Sequence, residues 1–128
     1  MIGASGRPRL RIAGTVLSTR DARALAGFYE RLLGWPRLAN ERGWVILREE
    51  PTAHGLSFHE DAEYVPPVWP SEAGEQLMMV HLDIATDDLD AAVSHAIECG
   101  ASVAPHQPQA AVTVMLDPDG HPFCLFEG

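Results

Sequence analysis

The amino-acid sequence predicts an α+β domain made of two βαβββ modules. Three observations carry this. The order strand, helix, strand, strand, strand can be read twice along the 128 residues, from about 10 to 60 and again from about 77 to 128. A proline-rich connector, 61–76, separates the two runs. Each helix is a one-sided apolar stripe between a polar cap and a glycine, so neither half buries its sheet alone and the two must share one core or cleft.

In the first module "LRIAGTVLS" (10–18) is rich in β-branched and apolar residues and reads as a strand. Leu25, Phe28, Tyr29, Leu32 and Leu33 then fall on one helical face, with Thr19 or Asp21 able to cap the start and Gly34 placed for the end. A weak strand near 35–39, a strong one in "WVILR" (44–48) and "GLSFHE" (55–60) after Pro51 complete the unit.

The connector holds Pro66, Pro67 and Pro70 and cannot pair inside a sheet. Its aromatics, Tyr64 and Trp69, are placed to rest on the core or to cover a site. In the second module "LMMVHLDIAT" (77–86) reads as a strand. Leu89, Ala92, Val93, Ala96 and Ile97 form a second stripe, opened by Asp87 or Asp88 and closed by Gly100. "ASVA", "AAVTVML" (110–116) and "PFCLFE" follow as strands, the last two joined by the turn Asp117-Pro118-Asp119-Gly120.

An apolar share of 46% with 21% charged residues is the balance of a globular chain, and its length fits one domain, 1–128. The net charge of −9 opposes phosphate backbones and anionic membrane surfaces, so neither nucleic acid nor membrane is an expected partner. The basic residues Arg7, Arg9 and Arg11 read as a solvated arm. Cys99 and Cys124 lie in apolar stretches and read as buried hydrophobes in a reducing compartment. With no apolar run of spanning length and no secretory pattern in "MIGASGRPRLRI", a cytoplasmic location is expected.

Alternation selects the candidate site, because residues two apart in a strand share a face. In "VHLDIA", Val80, Leu82 and Ile84 form an apolar face, leaving His81 and Asp83 opposite. In "GLSFHE", Leu56 and Phe58 leave Ser57 and His59 opposite. In the last strand both faces are mostly apolar, so periodicity does not aim Glu127. Convergence of Ser57, His59, His81, Asp83 and Glu127 would give two imidazoles and a carboxylate, a donor set for Fe, Zn, Ni, Mn or Co. His54, His95, His106 and His121 read as turn or helix-surface residues.

The stretches "LSTRDARALAGFYERLLGW", "VHLDIATDDLDAAVSHAIECGA" and "DPDGHPFCLFE" resemble the vicinal oxygen chelate superfamily, which includes glyoxalase I, extradiol dioxygenases and bleomycin-resistance proteins, and are most similar to its small glyoxalase-like proteins. The resemblance covers nearly the whole chain from Leu10. It implies two modules forming a curved mixed sheet around a central cleft, often completed by dimerisation, hence a homodimer. It also implies up to four metal ligands, in slots near Thr15, His59, His81 and Glu127. Thr15 stands where the family's usual ligand is histidine, and His59 where better-known enzymes carry a carboxylate or amide. Ordinary glyoxalase I activity is therefore not expected, although His59 could serve as a catalytic base.

Three functional expectations follow. One is a small-molecule-binding protein that takes an aromatic or cationic metabolite or drug in an acidic cleft lined by Trp44, Phe58, Tyr64 and Trp69. Another is a divalent-metal-dependent enzyme, a lyase, isomerase or dioxygenase, in which His59, His81 and Glu127 hold the ion for two vicinal substrate oxygens. A non-catalytic association domain is the third.

Overall fold

The structure, a computed structural model, describes residues 6–128; Met1–Ser5, the start of the stretch read for a secretory pattern, lie outside the described residues. The element order is β1 (Gly14–Thr19), α1 (Ala22–Leu33), β2 (Arg37–Glu41), β3 (Trp44–Leu47) and β4 (Gly55–Glu60), then β5 (Leu82–Thr86), α2 (Leu89–Cys99), β6 (Ser102–Val103), β7 (Val112–Leu116) and β8 (Pro122–Glu127). Both predicted modules are present. The strand orders, β1-β4-β3-β2 and β5-β8-β7-β6, are identical in plan. In each, the first and last strands pair in parallel and the other pairs are antiparallel.

The helices form where their caps and stripes require. Asp21 accepts from the Ala24 amide and Asp88 from the Ala91 amide, each satisfying an amide that the first turn cannot pair. Gly34 closes α1 at φ 72°, in the left-handed region, with its N–H on the Glu30 carbonyl. Leu25, Ala26, Phe28 and Tyr29 bury the inner face of α1.

Those faces meet in one core that both modules share. Phe28, Tyr29 and Phe58 from the first module pack with Met115, Phe123 and Leu125 from the second. Phe28 and Tyr29 stand edge to face at 4.8 Å, Tyr29 stacks on Phe58 at 5.5 Å, and Phe28 meets Phe123 across the modules at 6.0 Å. Phe58, expected in a binding cleft, is a fully buried member of this core. Its own alternation with Ser57 and His59 requires that, since Leu56 and Phe58 turn toward α1.

Both first strands start later than their apolar runs suggest. Residues 10–13 and 77–81 have strand composition but lie outside the named strands; Leu77 makes only an isolated bridge to Val68, and Leu10, Ile12, Leu77, Met79 and Val80 are exposed. Of the basic arm, Arg11 is tied to the Thr52 carbonyl at 3.0 Å.

At its start β4 lies close enough to both β1 and the end of β3 to demand glycine. A Cβ on Gly14 would sit 2.8 Å from the Gly55 carbonyl oxygen, and one on Gly55 would sit 2.8 Å from the Leu47 carbonyl oxygen and 2.5 Å from Arg48 Cγ. Gly55→Ala is expected to lower stability by about 1–3 kcal/mol, the usual effect of overpacking, as measured by urea unfolding. A midpoint unchanged from wild type would show that this edge yields freely.

Candidate functional site

Parallel pairing of β5 with β8 sets Asp83 directly opposite Cys124, and antiparallel pairing of β7 sets Val114 beside Cys124. Cys124 therefore projects from the same face as Asp83, away from the core that takes Phe123 and Leu125. His81, two residues before Asp83, joins them. His81 Nδ1 lies 3.1 Å from Asp83 Oδ1 and 3.8 Å from Cys124 Sγ, and one ligand atom from each of the three residues falls within 4.8 Å of the others. Among the described residues this is the one such group of three or more His, Cys, Asp or Glu donors.

His81 is half-buried, Asp83 exposed and Cys124 buried, so the group opens to solvent on the carboxylate side. Burial raises the Cys124 thiol above its ordinary pKa of 9.0, and the charge of Asp83 and a hydrogen bond to it push it further the same way. Trp69 from the connector lies over the group, its ring stacked on His81 at 5.3 Å and only 14° from parallel; the edge of His106 meets it at 5.4 Å.

The donor chemistry fits a borderline divalent ion. Zn²⁺ takes imidazole, carboxylate and thiolate together, and three protein donors leave a fourth position open. Ligand atoms around a tetrahedral Zn²⁺ stand roughly 3.3–3.8 Å apart, given metal–ligand distances of about 2.0–2.3 Å. The 3.1 Å and 3.8 Å separations on His81 bracket that range.

His81 and Asp83 are brought together as their shared face predicted. The other expected residues are not in this group. Glu127 shares parity with Phe123 and Leu125 and turns toward α2, where its Oε1 accepts the Leu89 amide at 3.2 Å. A carboxylate there suits the positive end of the helix. Thr15 shares parity with the buried Leu17 and Thr19, and its hydroxyl bonds to His54 Nε2 at 2.9 Å. His59 is exposed and Ser57 buried on the open face of the first sheet, opposite Trp44 and Ile46 respectively. Trp44, Tyr64 and Trp69 do not line one cleft: Trp44 stays on the first sheet, while Tyr64 stacks on His121 at 5.0 Å and Trp69 on His81.

A groove of about 430 Å³ runs between β1 and residues 76–80, walled by Val16, Ser18, Tyr64 and His121 among others; none of His59, His81 or Glu127 is in its walls. His121, read from sequence as a turn residue, is buried in an ionic network there. Its Nδ1 donates to Asp117 at 2.9 Å and its Nε2 to the Ser18 carbonyl at 2.8 Å. Tyr29 donates its hydroxyl to Asp117 Oδ2 at 2.8 Å, and Tyr64 donates to the Asp119 carbonyl at 2.8 Å. Thr19 donates to the Asp119 carboxylate. Burial and then Asp117 raise the tyrosine pKa of both Tyr29 and Tyr64. The signals that sequence offered were the four-residue spacing of Asp117 and His121 about a tight turn and, for Cys124, its parity opposite Phe123.

Two βαβββ modules of identical strand order, joined through one core, are the architecture of the vicinal oxygen chelate superfamily. The profile of the glyoxalase-like domain family matches residues 14–126, and the chain belongs to that family. Solved structures agree in fold. A glyoxalase/bleomycin resistance protein/dioxygenase family enzyme from Burkholderia phytofirmans superposes with a TM-score of 0.67 at 17% identity, covering 92% of this chain and 98% of its own. A possible glyoxalase from Bacillus cereus gives 0.67 at 16%, covering 92% and 99%. A bleomycin resistance determinant encoded on the transposon Tn5 gives 0.59 at 21%, covering 93% and 98%. Comparison with curated proteins gives no match. Among the described residues no helix is long and apolar enough to cross a membrane.

Proposed function

We propose that this protein binds a small molecule carrying two adjacent oxygens through a divalent ion held by His81, Asp83 and Cys124. The observation that carries the reading is the meeting of these three donors on one open face under Trp69. A bound ion there supplies Lewis acidity, polarising a ligand oxygen so that negative charge on it is stabilised, as a lyase, isomerase or dioxygenase requires. The chain's own residues orient the ligand and shield it: Trp69 covers the imidazole, and Val114 and Ala104 exclude water beside Cys124.

Uptake of the ion has a definite pH dependence. The Cys124 proton is held in place by burial first and then by Asp83, and a metal must expel it. Zn²⁺ affinity is expected to rise about tenfold per pH unit below the thiol's raised pKa, with about one proton released per ion. Zn²⁺ titrations by calorimetry in two buffers of different ionisation enthalpy measure both quantities. A pH-independent affinity, or no uptake of Zn²⁺, Co²⁺, Ni²⁺, Mn²⁺ or Fe²⁺, would remove the reading.

A second copy of the chain is the proposed protein partner. Val16, Val65, Leu77, Met79 and Val80 are all half or more exposed and all line the single groove beside β1. So concentrated an apolar surface is unusual on a monomer. Met79→Asp combined with Val80→Asp is expected to convert a dimer to a monomer in light scattering at micromolar concentration; a wild type that is already monomeric there would refute the pairing.

A further inference from the structure

Beside the donor group lies a second cavity of about 270 Å³, between the connector and the open face of the second sheet. Pro67 and Trp69 wall it on the connector side, with Ala104, Val114, Leu116 and Pro122 on the sheet side. No charged or titratable side chain lines it. Two of its walls belong to the donor group's surroundings: Trp69 stacks on His81, and Val114 is the cross-strand neighbour of Cys124. Cavity and donors therefore share a face and touch through common side chains.

The cavity is built rather than incidental. Gln107 clamps its floor, donating from Nε2 to the carbonyls of Ala104 at 2.9 Å and Val114 at 2.8 Å, and accepting the Val114 amide on Oε1 at 2.9 Å. The connector is fixed by the Val68 amide on the Gln76 carbonyl at 2.8 Å. At the far end Gly120, at φ 89°, lets Pro66 approach so closely that a Cβ there would lie 3.0 Å from Pro66 Cβ. A preformed apolar hollow next to a polar anchor is the usual anatomy of a small-ligand site.

We infer that this cavity selects the ligand's substituent: the molecule anchored by two oxygens at His81, Asp83 and Cys124 carries one uncharged apolar group no larger than about a single ring. The inference rests on the metal reading proposed above. Size sets the upper bound, because a dry cavity of about 150 Å³ accepts benzene and drug-sized ligands need about 300 Å³ or more. Charge is excluded by the lining, since an ionised substituent would lose its hydration with no partner to replace it.

The test uses the full chain loaded with Zn²⁺ and three α-hydroxy acids that present the same two oxygens: glycolate with no substituent, malate with a charged one and mandelate with a phenyl. Calorimetry is expected to show mandelate binding at least tenfold tighter than glycolate, as burial of a ring predicts, and malate no tighter than glycolate. Leu116→Phe, which fills the hollow, should bring mandelate to within about threefold of glycolate and leave glycolate unchanged. Equal affinities for mandelate and glycolate in the wild type overturn the inference without any variant, and so does a preference that survives filling. Failure of the Zn²⁺ titration itself, read before any acid is added, overturns the metal reading and this inference together.

Discussion

Asp117→Asn is expected to destabilise the protein by about 3–5 kcal/mol, the usual consequence of removing one partner of a buried ion pair. Asp117 is 4% exposed and accepts four kinds of bond: from the Tyr29 hydroxyl, from the His121 ring, and from the amides of Asp119 and His121. Both His121 nitrogens face acceptors, the Asp117 carboxylate and the Ser18 carbonyl, and only an imidazolium donates from both. Burial alone would lower the His121 pKa from 6.5. The hydrogen bond and charge of Asp117 outweigh it, aided by the Ser18 carbonyl and Asp119, and the net shift is upward. Asparagine would leave that cation buried and unpaired.

The sign of the pH effect follows from the same shift. His121 binds its proton more tightly folded than unfolded, so its contribution is fully present below about pH 6.5 and is lost as the pH rises through the raised folded value. Thermal unfolding across that window should show the melting temperature falling with pH in the wild type and flattening in His121→Gln. Asp117→Asn should melt roughly 10–20 °C lower, and the double variant Asp117→Asn/His121→Gln should recover part of the loss because no unpaired charge remains. A loss under about 1 kcal/mol for Asp117→Asn would mean that this network does not hold the second module's turn to β1 and α1.

Cys124→Ser is expected to weaken Zn²⁺ binding by roughly a hundredfold or more, since it removes a thiolate while keeping the size of the side chain. Co²⁺ offers a direct readout, because the absorption band in the near ultraviolet that a cobalt–thiolate bond produces should appear in the wild type and vanish in the variant. Asp83→Asn should weaken binding in the same direction. His59→Ala and Glu127→Gln separate this site from one built on the first sheet or the chain's last carboxylate. Both are expected to leave the affinity within about twofold, as neither side chain is within the donor group. A Cys124→Ser protein that holds Zn²⁺ as tightly as the wild type, or a His59→Ala protein that loses it, would place the ion elsewhere.

The helices and their limits were legible because their causes are local. Asp21 and Asp88 lie within a turn of the amides they cap, and the stripes of Leu25, Phe28 and Tyr29 or Ala92 and Ala96 repeat at the helical period. "GLSFHE" was equally plain, since Leu56 and Phe58 alternate with polar neighbours. The apolar run through Leu77, Met79 and Val80 misled because composition does not say whether a partner strand is available, and these residues face the groove instead.

By itself the sequence determined the two βαβββ units, the limits of their helices at caps and glycines, and the shared face of His81 and Asp83. Only the tertiary structure decided that Cys124 completes their group, that Glu127 caps α2 and that His121 is buried against Asp117. The physical reason is range. Capping and period act over a few residues and are written in the local pattern. The parallel register that sets Asp83 beside Cys124 spans 41 positions, and it is selected by how Phe28, Phe58, Phe123 and Leu125 together fill one core.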